Sequence, residues 1–406
     1  MKYILRAKTH SLRGSIELPG SKSISNRILI IQALAKRPFE LHSLSKADDT
    51  RVLTQALERN DIITDVGPAG TAMRFLTAYY AGQPGEKVLT GSDRMKQRPI
   101  AILVDALNAL GAKITYLEKE GYPPLHIEGR RLHGGSITVN GKVSSQFITA
   151  LMLIGPTLPQ PLEINIEGDP LSRPYILMTQ SLMEQCGAQV SIEGNCIRIM
   201  PGRYRSSTFT IERDWSAAAF WMSFGLLARK TDVLLKGLSD ESLQGDRAAV
   251  ELFEALGLAC SFEEGGLRLR KPEQVPSTSS WNFRNHPDLV QPAAFALAGA
   301  GKAFKLDGLD NLRLKETDRI QAISQELSKF KCSVSTSGNS MELSGSPLHQ
   351  PHEPLSAYDD HRMVMAMAPL SMCFSELIIE NPMVVAKSYP GFWKQVEKFV
   401  DVRAMR

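Results

Sequence analysis

Six strongly apolar helical stretches at regular spacing constrain this chain more than any other feature of its sequence. They are "SISNRILIIQALA", "TAMRFLTAYYA", "SQFITALMLIG", "SAAAFWMSFGLLA", "LVQPAAFALAGAG" and "HRMVMAMAPLSMC". Their first residues are Ser23, Thr71, Ser145, Ser216, Leu289 and His361, so successive starts lie 48, 74, 71, 73 and 72 residues apart. So constant an offset marks an internal repeat with a shortened first copy.

Each copy carries a second, more amphipathic helix, such as "DDTRVLTQALERN", "RPIAILVDALNALGA" or "ETDRIQAISQELSKFKC". A strand-like segment such as "LEINIEG" or "TDVLLKG" precedes it, and pairs such as "AQVSIEGNCIRIM" and "CSVSTSGNSMELSG" follow as hairpins, with alternating apolar residues around a tight turn. The unit is therefore βαβαββ, an α/β (α+β) arrangement occurring six times, and the first copy lacks most of its closing hairpin. Normal domain sizes group six units into two domains of three. Units one to three fall in residues 21–212, and units four to six in residues 1–20 plus 213–406. The opening segment "KYILRAKTHSLRGSIELP" is expected to pair with the C-terminal half, and two linkers near Gly20 and Arg213 to run parallel. "KPEQVPSTSS" reads as a short loop.

Composition excludes several classes. Hydrophobic residues make up 43% and charged residues 22%, enough apolar content for a large core. The net charge of +4, from 47 Lys+Arg against 43 Asp+Glu, gives little support to a nucleic-acid-binding repeat protein or a membrane-surface protein. Cys186, Cys196, Cys260, Cys332 and Cys373 are scattered, with no C-x-x-C pair, as expected of buried, reduced thiols in a cytosolic protein. The start, "MKYILRAKTHSLRG", lacks the apolar core of a signal peptide, and the apolar stretch around Met363 to Phe374 is too short to span a bilayer. A cytoplasmic protein is expected.

The polar motifs collect at the unit junctions. "LPGSKSISNR" puts Lys22 and Arg27 at the start of an apolar helix, where unpaired N–H groups attract anions and repel cations. Taken alone, a capped helix with solvated cations is the plainer reading. The same holds for "ETDR" as a helix cap with an exposed Glu316–Arg319 pair. Recurrence at one phase outweighs both. Arg98 opens a second helix in "RMKQRPI"; Ser144, Ser145 and Gln146 open a first helix in "VSSQF"; Ser172 and Tyr175 stand in "LSRPY". Asp288 lies in "HPD", Asn311, Lys315, Glu316 and Arg319 in "NLRLKETDR", Arg362 in "DDHR", and Lys387 in "VAKSYPG". If each domain packs its helices in parallel, their N-termini share a surface, and two such surfaces facing each other would make an anion-binding cleft. "DDHR" lacks metal-ligand spacing, His361 reads as a structural residue at a helix start, and Trp215 and Trp221 read as packing residues.

The motifs "LPGSKSISNR", "AGTAMR", "RMKQRPI", "YPPL", "VSSQF", "SRPY", "HPD", "LRLKETDR" and "DDHRM" occur in this order along most of the chain. In them the chain resembles the 3-phosphoshikimate 1-carboxyvinyltransferase family, the 5-enolpyruvylshikimate-3-phosphate (EPSP) synthases. The resemblance implies a two-domain inside-out enolpyruvyl transferase fold with three βαβαββ units per domain. It implies transfer of the enolpyruvyl group of phosphoenolpyruvate to the 5-hydroxyl of shikimate 3-phosphate, with release of phosphate, in chorismate biosynthesis. It further implies no metal or organic cofactor, no partner beyond the two small substrates, neither nucleic acid nor membrane, and a monomer. By the same resemblance Lys22, Ser23, Arg27, Ser144, Ser145, Gln146, Ser172, Tyr175, Asp288, Asn311 and Lys315 hold shikimate 3-phosphate. Lys22, Gly70, Arg98, Gln146, Arg319, Arg362 and Lys387 surround phosphoenolpyruvate. Asp288, helped by Lys22, would take the hydroxyl proton, and Glu316 would protonate the methylene carbon once burial or substrate charge keeps it protonated.

Three departures from the family pattern stand out. Pro68 in "GPAGTAMR" replaces the usual Asn, Phe75 stands where Pro or Leu is common, and the first unit is short. They raise the alternative of a degenerate, non-catalytic paralogue, against which the retained acid, base and cations argue. The sister transferase acting on UDP-N-acetylglucosamine would carry a cysteine in the loop that reads "SDRMKQRP", and there is none.

Overall fold

Each repeat folds around its apolar helix. The computed structural model describes residues 1–59, 61–141, 144–206, 208–272 and 278–405. The chain divides into two compact units, residues 21–211 and residues 1–20 with 212–406.

In the 21–211 unit the helices are α1 (Lys22–Ala35), α2 (Asp48–Glu58), α3 (Gly70–Ala81), α4 (Asp93–Lys96), α5 (Ala101–Ala109), α6 (Ser145–Ile154) and α7 (Arg173–Gln185). The apolar α1, α3 and α6 pack on one another, because helices without a polar face can satisfy themselves only in an interior. The other unit holds α8 (Trp215–Leu227), α9 (Ala249–Ala255), α10 (Val290–Gly299), α11 (Arg319–Ser328), α12 (His361–Met367) and α13 (Phe392–Val396). There α8, α10 and α12 form the equivalent trio, with Trp215 and Trp221 buried in its core. Side-chain caps start many of these helices: Ser21 accepts from the Ile24 amide, Ser144 from Gln146, Asp318 from Gln321 and Asp360 from Arg362.

Four four-stranded sheets repeat one pattern, a parallel outer pair followed by an antiparallel hairpin. In the second repeat Ile63–Asp65 runs parallel to Gly85–Thr90, which pairs antiparallel with Leu125–Gly129 and through it with Lys113–Tyr116. The first repeat is cut short as expected: Glu40–His42 pairs only with Thr208–Thr210, and no strand lies between Glu58 and Ile63 among the described residues. The N-terminal segment completes two later repeats. Lys2–Ala7 sits between Leu377–Glu380 and Val400–Met405, and Ser11–Glu17 runs parallel to Lys230–Lys236.

Three expectations need correction or restriction. Gly20 and Arg213 form an antiparallel bridge, not a parallel one, because the chain leaves one unit at the first and returns at the second. Only Cys186 and Cys332 are buried; Cys196 and Cys260 are partly exposed and Cys373 is exposed. Of "KPEQVPSTSS", residues 273–277 lie outside the described residues.

A buried acid secures the segment leading into α12. Glu326, on α11 and wholly inaccessible, accepts from Lys329 Nζ at 2.9 Å, from the Ser356 amide at 3.1 Å and from the Tyr358 hydroxyl at 2.7 Å. Tyr358 and Asp359 hold left-handed φ values of 53° and 52°, a conformation that non-glycine residues keep only when their surroundings impose it. Glu326→Ala strands Lys329 and the loop donors, and is expected to cost about 3–5 kcal/mol in urea unfolding. A loss below about 1 kcal/mol, the scale of an exposed pair, would show that the loop does not depend on this acid.

Candidate functional site

The first turn of α11 sets the geometry of one cluster, in the unit containing residues 212–406. Arg319 is 1% exposed and its three nitrogens meet three carboxylates. Nε donates to Asp360 Oδ2 at 2.8 Å, Nη1 to Asp288 Oδ1 at 3.1 Å and Nη2 to Glu316 Oε2 at 2.9 Å. Asp288 stands on the short 3₁₀ turn Pro287–Leu289 that feeds α10, and Asp360 caps α12. Arg362, on the first turn of α12, donates to Asp288 Oδ2 at 2.7 Å, and Lys387, ending the turn Pro382–Lys387, donates to Glu316 Oε1 at 3.2 Å. The expected base and acid are thus held on a planar fork of donors that a lysine could not imitate. Arg319 is buried and Glu316 largely covered, which removes the reading of "ETDR" as a helix cap with an exposed pair.

Burial pushes the Asp288 carboxyl up, yet Arg362, Lys315 and Arg319 together hold it well below the ordinary carboxylate range. Burial likewise works against the Arg319 charge, and Asp360, Glu316 and Asp288 more than offset it. Asn311 opens the 3₁₀ turn Leu312–Leu314 just ahead of Lys315, and its side chain makes no hydrogen bond among the described residues.

Three members of this cluster were not singled out as site residues from the sequence, although Asp360 stands in "DDHR" and Ser216 opens an apolar helix. Asp360 is the deepest partner of Arg319. Ser216 lies beside Arg362, with Nη2 at 3.4 Å from its hydroxyl, and donates a short hydrogen bond to Asp246. Asp246 is 4% exposed, and its carboxyl is pushed up to about 7 by burial first and by Asp288 next, against the Ser216 hydrogen bond and Arg362, with Asp214 adding to the rise. A raised folded-state pKa means that the folded protein holds a proton the unfolded chain has already released. This group's contribution to stability is therefore full below pH ~4, its unfolded pKa, and is lost as pH rises through 7. Between pH 5 and 8 wild type should lose urea stability relative to Asp246→Asn, whose difference from wild type isolates this group from the histidines. Parallel pH profiles of the two proteins would show that Asp246 is already ionised at pH 5.

The second cluster lies in the 21–211 unit, where the N-terminal halves of α1, α3, α6 and α7 supply most of its side chains. Arg27 is 3% exposed, donating to Thr179 Oγ1 at 2.8 Å, Ser23 O at 2.9 Å and Thr149 Oγ1 at 3.3 Å. Its guanidinium lies 5.6 Å from the Phe75 ring centroid and 5.8 Å from that of Tyr175. No carboxylate compensates it among the described residues, and burial lowers its pKa to about 10 against a small opposing effect of Tyr175. A buried cation with only neutral partners is a standing demand for an anion. Phe75, a departure from the family pattern, is therefore one wall around that cation.

Lys22, on the first turn of α1, pairs with the buried Asp49 at 2.9 Å, a partner that motif reading missed. Gln146 donates to Thr71 Oγ1 at 3.2 Å, which joins α6 to α3. Ser144 and Ser145 open α6, and Ser172, at φ 58°, caps α7 three residues before Tyr175. At Gly70 an added Cβ would lie 2.5 Å from Arg98 Nη1, so a side chain there would push the Arg98 guanidinium aside. Pro68 sits inside the tight turn closed by the Ala69 amide on Val66 O at 3.0 Å, where no N–H is required of it.

Repeated βαβαββ units that present buried cations and paired acids define an α/β protein suited to multiply anionic small molecules. The EPSP synthase (3-phosphoshikimate 1-carboxyvinyltransferase) family model matches residues 7–59 and 53–396. The 3-phosphoshikimate 1-carboxyvinyltransferase of Bacteroides fragilis strain YCH46 is 43% identical over 401 residues, covering 98% of both chains. That of Actinobacillus succinogenes is 34% identical over 423 residues, covering 95% of this chain and 97% of its own. An EPSP synthase structure from Acinetobacter baumannii superposes with a TM-score of 0.76 at 19% identity, covering 99% of this chain and all of that one. The enolpyruvyl transferase NikO from Streptomyces tendae superposes with a TM-score of 0.76 at 16% identity, covering 99% and 98%. The chain belongs to the EPSP synthase family and has the enolpyruvyl transferase fold.

Proposed function

We propose that side chains of both clusters serve one reaction, each cluster supplying groups that bind its two anionic substrates. As a member of its family the chain is an enzyme that transfers the enolpyruvyl group of phosphoenolpyruvate to the 5-hydroxyl of shikimate 3-phosphate and releases phosphate. The observation that carries the site assignment is the Asp288–Arg319–Glu316 array, a base and an acid on one guanidinium with Arg362 and Lys387 beside them.

In this reading shikimate 3-phosphate is held by Lys22, Ser23, Arg27, Ser144, Ser145, Gln146, Ser172, Tyr175, Asn311 and Lys315. Phosphoenolpyruvate lies against Gly70, Arg98, Arg319, Arg362 and Lys387, with Lys22 and Gln146 reaching both ligands. Each cation now engaged by a carboxylate exchanges it for a substrate anion, which suits bidentate guanidinium groups. Asp288, freed from Arg362, regains basicity; Glu316, losing Lys387 and facing negative charge, takes up a proton. The 5-oxygen then bonds to C2 of phosphoenolpyruvate as its proton passes to Asp288 and Glu316 protonates C3. In the second step Glu316 recovers a proton from the new methyl group, the C2–O bond to phosphate breaks, and the proton on Asp288 leaves with phosphate or to water. The cations neutralise the departing phosphate throughout.

A coupled phosphate-release assay tests this reading. Release should require both substrates and survive a chelator; silence of the folded protein would favour a non-catalytic paralogue. The chain is further inferred to act as a cytoplasmic monomer, which light scattering of the purified protein would check. Among the described residues no helix is long and apolar enough to cross a membrane.

A further inference from the structure

A cavity of about 1190 Å³ opens in the 21–211 unit at the ends of α1, α3 and α6 opposite their candidate site residues. Its rim carries five cations, Lys36, Arg37, Arg131, Arg203 and Arg205, and among the described residues no acidic side chain lines it. Leu34 adds apolar surface, with the buried Leu132, Leu158 and Tyr204 forming the wall behind it. None of the five cations has an ion pair or side-chain hydrogen bond among the described residues. Elsewhere in the same unit exposed cations do find acids, as in Lys113–Glu128 and Arg198–Glu163.

Cations near helix C-termini can serve only to cap carbonyl groups. Here neutral donors do much of that work. The strap carrying Arg203 and Arg205 is fastened by the Gly202 amide on Pro156 O at 2.8 Å, the Tyr204 hydroxyl on Leu153 O at 2.9 Å and the Arg205 amide on Cys186 O at 2.8 Å. The guanidinium groups are thus left over, on a backbone already fixed, around a hollow of one sign. Such a hollow concentrates field and attracts polyvalent anions.

We propose that this cavity binds a small polyanion of the oligophosphate class, free or as part of a nucleotide, at a site separate from the candidate active site. The 14-residue α1 alone, from Lys22 to Ala35, separates the two ends by about 20 Å at the helical rise. Five dispersed cations match a chain of phosphates better than a single phosphate, and the apolar surface could take a ring attached to it.

Calorimetric titration of the full chain with inorganic tripolyphosphate, and in a second arm with ATP, tests this. The comparison protein is the double variant Arg203→Ser/Arg205→Ser, whose exposed side chains make it a safe fold by circular dichroism. Binding at the candidate active site is common to both proteins, so the difference isolates the cavity. The wild type should show a saturable event, weakened by salt, that the double variant loses or shows at least tenfold weaker. Tighter binding of ATP would place its ring on the apolar surface, tighter binding of tripolyphosphate would make the free chain the ligand, and either supports the site. Identical titrations of the two proteins, or no saturable event in wild type up to millimolar probe, would overturn it.

Discussion

Replacing Glu316 with Gln is expected to lower turnover by roughly 10²–10⁴-fold, the range of general acid–base catalysis, while shikimate 3-phosphate still binds. Glutamine keeps an acceptor for Arg319 or Lys387, both of which reach the wild-type carboxylate, so the cluster should survive the change. What it removes is the proton that, in the proposed mechanism, reaches C3 of phosphoenolpyruvate. The measurement is kcat from phosphate release beside the dissociation constant of shikimate 3-phosphate from titration. A variant with near-normal kcat would take Glu316 out of the mechanism.

Arg319→Met should have the largest combined effect. It leaves Asp360, wholly inaccessible, and the partly covered Asp288 and Glu316 without their common guanidinium. Removing one partner of a buried ion pair costs about 3–5 kcal/mol, and here one cation serves three acids. Unfolding stability should fall by at least that much, and phosphate release should be lost. Adding Asp360→Asn removes the deepest stranded charge, so the double variant should recover part of the stability. Strict additivity of the two changes would mean that the Arg319–Asp360 contact carries no coupling.

The architecture was legible because it is written six times. The spacing of the apolar helices and the hairpin patterns survive in the fold, and even the missing hairpin of the first repeat is visible as the direct step from α2 to the strand Ile63–Asp65. The direction of the bridge at Gly20 and Arg213 was not legible from local pattern, since it follows from the path of the whole chain. The same contrast runs through the sites. Lys22, Arg27, Arg319 and Arg362 announce themselves by standing near helix starts, where a cation needs a reason, and Glu316 by sharing a motif with Arg319. Asp49, Asp246 and Asp360 gave no such signal, because an acid at a helix start is ordinary and their partners Lys22, Ser216 and Arg319 lie 27, 30 and 41 residues away, joined only by tertiary packing. Phe75 was legible only as a departure; its place beside Arg27 supplies the physical reason to have an aromatic ring there.

The central claim is that side chains of both compact units hold one ligand, and titration of shikimate 3-phosphate into two single variants tests it most directly. Arg27→Ala alters the 21–211 unit and Lys315→Ala the other, and a hydrogen bond to a charged group contributes about 1.5–3 kcal/mol. Each variant, confirmed as folded, should therefore bind at least tenfold more weakly than wild type. An unchanged dissociation constant in either one would confine the ligand to a single unit and contradict the account.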